Sequence, residues 1–299
     1  VYSYPQWFVN KLKSDFPDDY LKIMKSYKKR SFLSVRYDKN KFTKEEFENL
    51  LKKIDTQILF SVEEVYYLSN ANIFETKNFK SGEIVVQDAS SYLAVKNLEV
   101  SQDDVVLDAC SAPGGKSLAI LQLFNPQILI STDIHEHKIK ILENLKNKYG
   151  YKNWKIELND ATKIENLDKK FDKILLDVPC SGLGVLRKKP EKIYELESNN
   201  FKSLKKIQKK IFESAFNSLK DGGEIITQSE GNLTTPKVLN VNIMKEKKLT
   251  LNTIGLDKTK LEYNIEEKEG NLDFDVNVTY FFFAFFENNP IFFTSLKFD

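Results

Sequence analysis

Cysteine is scarce in this chain of 299 residues: Cys110 and Cys180 are the only two, far apart and inside unrelated motifs. A disulfide framework or a zinc site needs thiols and imidazoles at close, repeated spacing, so neither organises this fold and no metal is expected. A reducing, cytoplasmic setting fits that pattern best. Long apolar runs are missing too. Phe281 to Phe286, the greasiest stretch, is six residues long, against the roughly 20 that span a bilayer. With no signal peptide either, no membrane is expected as a partner. Internal repeats are lacking, and so is a charge excess. Lys and Arg total 45 against 43 Asp and Glu, a formal net charge of +2, which permits a nucleic-acid partner without requiring one. No protein partner can be inferred. The chain opens at Val1 rather than Met, which leaves room for a further domain upstream.

Apolar residues make up 41% of the chain, with 22 Phe and 13 Tyr, enough to build a substantial core and to exclude intrinsic disorder. The length suits two units, and the pattern divides them. Residues 1–80 read as a small α+β segment. Ser31 to Tyr37 has the content of a strand, and Thr43 with Glu46 forms a capping box that opens a helix running to Ile54. The basic run Lys25 to Arg30 reads equally as a solvated surface or as an RNA contact. Residues 81–299 form the second unit.

From Asp103 onward short apolar runs alternate with helical periodicity, the mark of an α/β doubly wound sheet. Val105–Ala109, Ile128–Thr132, Trp154–Leu158, Phe171–Leu176 and Glu224–Thr227 read as buried parallel strands. A helix from Glu136 to Tyr149 turns Ile139, Leu142 and Leu145 inward and stops at Gly150. Another, Asn200 to Leu219, carries Phe201, Leu204, Ile207, Ile211, Phe212, Ala215, Phe216 and Leu219 on one buried stripe. The aromatic tail from Phe274 to Glu287 is expected to supply the last antiparallel strands of the sheet.

Two segments carry chemistry. Asp108-Ala109-Cys110-Ser111-Ala112-Pro113-Gly114-Gly115-Lys116 sits where a strand gives way to a helix. Its glycines let backbone approach a ligand, and the helix start offers unpaired amides to an anion. The three-glycine dinucleotide fingerprint is absent from this turn. Asp133, 25 residues beyond Asp108, ends the second strand, where a carboxylate can take two ribose hydroxyls; Asp160 ends the third and Asp177 the fourth. Open α/β sheets bind ligands beyond these strand ends, so the four Asp side chains are expected to line one crevice. Each alone can equally be a helix cap.

The second segment, Asp177-Val178-Pro179-Cys180-Ser181-Gly182, follows the fourth strand directly. Pro179 restricts the turn and Gly182 leaves room for a flat substrate, which should present Cys180 at the cleft. Cys110 reads instead as a small buried hydrophobe. His135 and His137 read as exposed residues of a first helical turn. Arg187, Lys188 and Lys189, past the Pro-Cys pair, are placed to meet phosphates or simply to face water.

On these motifs the chain resembles the bacterial ribosomal-RNA cytosine-C5 methyltransferases of the Fmu/Sun (RsmB-like) type. The shared stretches are Tyr4-Pro5-Gln6-Trp7, Val86-Gln87-Asp88-Ala89-Ser90-Ser91, Asp108 to Lys116, and Asp177 to Arg187 with Pro190. The resemblance implies a Rossmann-like, mostly parallel seven-stranded methyltransferase sheet with a smaller N-terminal RNA-binding domain. It implies S-adenosylmethionine as cofactor, bordered by Asp108, Cys110 to Lys116, Asp133, Asp160 and Asp177. The product would be 5-methylcytosine in RNA, with 16S ribosomal RNA as the partner. In this chemistry a thiolate adds to C6 of cytosine, C5 takes the sulfonium methyl group, and a base removes the C5 proton to expel the thiolate. Asp177 would bind the base, and the cytosine must first leave its stack.

One departure stands out. The family's attacking cysteine follows the fifth strand, after a Gly-Gly pair. Here Gly222-Gly223 is present, but Glu230 occupies the cysteine's place and Pro236-Lys237 replaces the Glu-Asn that follows. A carboxylate cannot replace a thiolate in attack on C6. Three readings stay open: Cys180 attacks in its stead, the chain binds cofactor and RNA without turnover, or it methylates an atom that needs no covalent adduct.

Overall fold

A computed structural model describes residues 4–28, 31–182, 186–195, 200–228, 239–244, 248–253, 261–268, 271–278, 281–286 and 289–294. Two helices open the chain, α1 (Gln6–Asp15) and α2 (Tyr20–Ser26). Then come β1 (Leu33–Tyr37), α3 (Lys44–Lys53), β2 (Ile58–Val62), β3 (Val65–Leu68), α4 (Lys77–Lys80) and β4 (Ile84–Val86). The strands form an antiparallel sheet in the order β2-β3-β1-β4. This β-α-β-β-α-β path with its split order is ferredoxin-like. The predicted capping box is present: Thr43 accepts from the Glu46 amide, and the Glu46 carboxylate accepts from the Thr43 amide. One face of the sheet buries Val35, Tyr37, Tyr66 and Leu68 with Phe47 and Leu51 of α3. The other turns Val65 and Tyr67 against Ala89 and Tyr92 of α5 (Ala89–Lys96).

The second sheet comprises β5 (Val105–Asp108), β6 (Ile128–Asp133), β7 (Trp154–Leu158), β8 (Phe171–Asp177), β9 (Leu219–Gln228), β10 (Leu239–Met244) and β11 (Lys248–Thr253). Its order is β11-β10-β9-β8-β5-β6-β7. The five predicted strands are all present, and their mutual pairings are parallel. Helices α6 (Gly115–Leu123), α7 (Glu136–Tyr149), α8 (Lys192–Glu195) and α9 (Asn200–Asn217) lie between them. One layer of core sets β5, β6 and β8 against α9, with Phe171, Ile174, Ile211 and Ala215 buried. The other packs Ala119, Ile120, Leu142 and Trp154 between the sheet and α6–α7. The α7 helix ends on Gly150 in the left-handed conformation, as its sequence predicts. Chain order reverses between β5 and β8, which makes their carboxyl ends the switch point of the sheet. Among the described residues no helix is long and apolar enough to cross a membrane.

Two expectations fail. The tail does not complete the sheet: β12 (Leu261–Lys268) pairs with β13 (Asn271–Val278), and β14 (Phe281–Phe286) pairs with β15 (Asn289–Thr294), each as a separate hairpin. The place beside β9 is taken by β10, antiparallel, with Ile243 opposite Ile225. A strand nearer in sequence has claimed that edge, and aromatic content announces a strand without naming its neighbour. The buried stripe of α9 is also shorter than its periodicity suggests. Ile211 and Ala215 are buried, but Leu219 already belongs to β9, Ile207 is 41% exposed, and the Phe201 side chain lies outside the described residues. Ser203 and Leu204, in the first half of this helix, line a cleft instead.

Candidate functional site

The Asp108–Lys116 segment is bolted to the neighbouring strand by polar contacts. Ser111 donates both its amide and its hydroxyl to Thr132 O, at 2.9 and 3.0 Å, while Thr132 Oγ1 donates to Ala109 O at 2.9 Å. The Ala109 amide bonds Leu175 O, and the Gly114 amide closes the turn onto Ser111 O. The two glycines differ in purpose. Gly114 has φ +100°, and a Cβ there would come within 2.7 Å of Leu145 Cδ2 and 2.9 Å of Leu142 Cδ2. A Cβ on Gly115 would meet no protein atom within 4 Å. Gly114 therefore serves the fold, whereas Gly115 leaves one side of the helix start open. The amides of Gly115, Lys116 and Ser117 have no acceptor among the described residues, so the start of α6 offers donors to a carboxylate.

The four carboxylates divide by environment. Asp108 is fully buried; its Oδ2 accepts from Ser117 Oγ at 2.6 Å, Ser131 Oγ donates to Ser117 Oγ at 2.9 Å, and Trp154 Nε1 donates to Ser131 Oγ at 2.8 Å. Its Oδ1 is buried without a partner among the described residues. Burial, and secondarily the nearby Asp177 and Asp133 carboxylates, push the Asp108 pKa up to about 7. Asp133 accepts from the His135 amide at 3.2 Å and pairs with Lys138 Nζ at 3.3 Å. Asp160 caps the turn after β7, accepting from the amide and hydroxyl of Thr162 at 2.9 Å each. Asp177, half-buried at the end of β8, pairs with Lys116 Nζ at 2.6 Å. That contact joins the two chemical motifs, 61 positions apart in sequence, at the switch point.

Cys110 packs against the apolar layer under β5 and β8, and burial pushes its thiol up to about 12. It stays protonated at neutral pH, which suits a packing residue and not a nucleophile. Cys180 is partly exposed and borders a cleft of about 310 Å³ between the Pro179–Gly182 turn and α8–α9, with Lys192, Glu195 and Leu204 on its far wall. Gln208 Nε2 of α9 donates to Pro179 O at 2.8 Å and fixes the turn. His135 and His137 are exposed at the start of α7. Of the three cations past the turn, Lys189 is exposed, Lys188 Nζ pairs with Asp88 Oδ2 at 3.3 Å, and Arg187 is half-buried, its guanidinium pKa lowered by desolvation. Glu230 lies outside the described residues.

Two groups of residues near the site escaped the sequence reading. Leu186 and Ile193, beyond the Pro-Cys turn, are buried with Phe8 and Leu12 of α1, Ile23 and Met24 of α2, and Phe16 between the two helices. The opening helices thus support the segment that follows the Pro-Cys turn. Nothing within a few residues of Leu186 or Ile193 points to so distant a partner. Ile134 and Leu158 are each more than half exposed, beside Asp133 and at the end of β7. The sequence shows Ile134 directly after Asp133, but its exposure is visible only in the fold.

A family model described as 16S rRNA methyltransferase RsmB/F matches residues 95–284. The chain belongs to that family. A second model, the ferredoxin-like domain of RsmF/B-like methyltransferases, matches residues 4–64. A probable ribosomal RNA small subunit methyltransferase B from Bacillus subtilis is 36% identical over 55% of this chain and 37% of its own length. The ribosomal RNA small subunit methyltransferase B of Vibrio vulnificus is 27% identical over 75% of this chain and 54% of its own. The chain therefore spans about half, or less, of these curated relatives. A solved methyltransferase homologue from Pyrococcus horikoshii superposes with a TM-score of 0.66 at 25% identity, over 76% of this chain and 74% of that one. The Rossmann-like methyltransferase core with its ferredoxin-like partner is the family's fold.

Proposed function

We propose that this chain is the catalytic part of an S-adenosylmethionine-dependent methyltransferase that forms 5-methylcytosine in small-subunit ribosomal RNA, and that it works in the cytoplasm. The observation that carries the reading is the Lys116–Asp177 pair, which brings the glycine loop and the Pro-Cys turn to one edge of the sheet. The residues fit the cofactor: the open amides of α6 suit its carboxylate, Gly115 gives it room, and Asp133 can receive its ribose hydroxyls. Asp108 offers its buried Oδ1 as an acceptor, Cys110 to Pro113 form the floor, and Asp160 with the apolar Ile134 borders the adenine end. When bound, S-adenosylmethionine supplies an electrophilic methyl group.

The chain's own residues do the rest. Asp177 accepts a hydrogen bond from the amino group of an extruded cytosine and orients the ring. Cys180 faces the cleft that the base enters. Residues 1–80, whose sheet runs on through β4 to Val86, are proposed to hold RNA together with Arg187, Lys188 and Lys189. A phosphate would have to compete with Asp88 for Lys188. A second reading, a homologue that binds cofactor and RNA without turnover, is favoured by Glu230 at the family's nucleophile position.

Transfer of labelled methyl from S-adenosylmethionine to undermethylated 16S ribosomal RNA separates them. If the unmodified chain turns over and Cys180→Ala abolishes product, Cys180 attacks. If it binds cofactor silently while Glu230→Cys gains activity, the chain is a scaffold without its nucleophile. Turnover that survives Cys180→Ala would mean a target atom needing no thiol adduct.

A further inference from the structure

Arg36, on the central strand of the ferredoxin-like sheet, is 2% exposed, yet it forms no direct ion pair among the described residues. Its Nε donates to Gln87 Oε1 at 2.7 Å and its Nη2 to Gln122 Oε1 at 2.6 Å, with the guanidinium 5.6 Å from the Tyr92 ring centre. A guanidinium can only donate, so it fixes which way both amides point. Gln122 Nε2 is left to donate to Asp38 Oδ2 at 3.0 Å. Gln87 Nε2 is left to donate to the carbonyl of Gly115 at 3.1 Å. Gly115 is the first residue of α6, the one whose open side and open amide face the proposed cofactor. Of the two branches from Arg36, one returns to the N-terminal domain and the other ends on the cofactor loop.

We propose that Gln87 is a positioning residue, through which the N-terminal domain sets the orientation of the first α6 peptide and with it the affinity for the cofactor. The inference rests on the cofactor reading above. The peptide plane of residues 115 and 116 carries the Gly115 carbonyl and the Lys116 amide on opposite edges. Holding the carbonyl toward Gln87 therefore holds the amide toward the ligand side. The N-terminal domain thus does more than carry RNA: when its sheet is docked, the methyl donor's seat is set. The Gln87 and Gln122 branches make the claim separable from ordinary stability, because each can be cut while the other stands.

Gln87→Glu keeps an acceptor for Arg36 but loses the donor to Gly115. Gln122→Met cuts the branch to Asp38 and leaves the Gly115 bond in place. Calorimetric titration of each whole chain with S-adenosylmethionine, thermal unfolding, and the amide chemical shifts of residues 115–118 decide the matter. We expect Gln87→Glu to unfold no earlier than the unmodified chain, to bind about tenfold more weakly, and to move those amide resonances. Gln122→Met should unfold earlier with its affinity and those resonances unchanged. If affinity merely follows the unfolding temperature in both variants, or if Gln87→Glu binds and resonates like the unmodified chain, the positioning role is wrong. Should the unmodified chain bind no cofactor at all, the cofactor reading fails, and the amide shifts of Gln87→Glu alone uphold or deny the control of the peptide.

Discussion

The glycine loop after β5 and the Pro-Cys turn after β8 reach the same edge of one sheet, yet they are held there by opposite means. The first is fixed by short polar contacts from its immediate neighbours, with Ser111, Thr132, Ser117 and Ser131 all bonded within the β5–β6–α6 unit. The second also draws on distant parts of the chain: Leu186 and Ile193 rest on α1 and α2, and Gln208 of α9 donates to Pro179 O. Most of the polar bonds that hold the first motif come from within its own unit, with Gln87 adding one from outside. Support from the chain's opening helices makes the Cys180 loop depend on the N-terminal region staying in place. The first motif is thus fixed mainly from within its own unit, and the second depends on the N-terminal region.

The largest test breaks the first region. Gly114→Ala needs a residue at φ +100° and drives a methyl group against Leu142 and Leu145, at a cost of about 2–6 kcal/mol from backbone strain and overpacking together. Gly115→Ala should leave stability unchanged or slightly raised, and weaken S-adenosylmethionine binding instead. Denaturant melts and calorimetry on the pair check this. Equal destabilisation by both would erase the difference between fold glycine and ligand glycine.

How much of this was legible follows the same line. The loop, its helix, the five parallel strands and the capping box were readable because their causes lie within a few residues of each other. Asp160 as a cap was readable as an alternative, since Thr162 is two positions away. The support under Leu186 was not, because the partners Phe8 and Phe16 are some 170 positions upstream and no periodicity links them. The same holds for Gln87: its stretch was legible only as a shared motif, while its bond to Gly115 exists only once the ferredoxin-like sheet meets α6. The ends of α9 misled for a related reason, since periodicity reports a stripe and says nothing of where the layer beneath it stops.

The second region is tested by Leu186→Ala, which empties a fully buried site in the cluster under the Pro-Cys turn and should cost about 2–5 kcal/mol. Its signature is functional as well: methyl transfer should fall while cofactor affinity stays within a factor of about two, because the glycine loop does not touch this cluster. A matching loss of cofactor affinity would show the two regions to be one mechanical unit.

Asp108→Asn gives the smallest effect and the sharpest contrast, because it depends on pH where Leu186→Ala should not. The Asp108 carboxyl has its pKa raised by burial to about 7, well above the value of about 3.9 expected in the unfolded chain. Between those values the folded protein holds a proton that the unfolded chain has released. The stabilising contribution of the protonated carboxyl is therefore complete below pH 4 and is lost as pH rises to 7. Asn keeps an acceptor for Ser117 and cannot ionise, so it escapes that loss. Between pH 5 and pH 8 the variant should gain on the unmodified protein by about 2–3 kcal/mol, from roughly two pH units at 1.36 kcal/mol each. Urea midpoints for both proteins at the two pH values measure the gain. A difference that is the same at pH 5 and pH 8 would mean that Asp108 is already ionised when buried, its charge answered by Lys116. The glycine loop would then be held by an ion pair rather than by neutral hydrogen bonds.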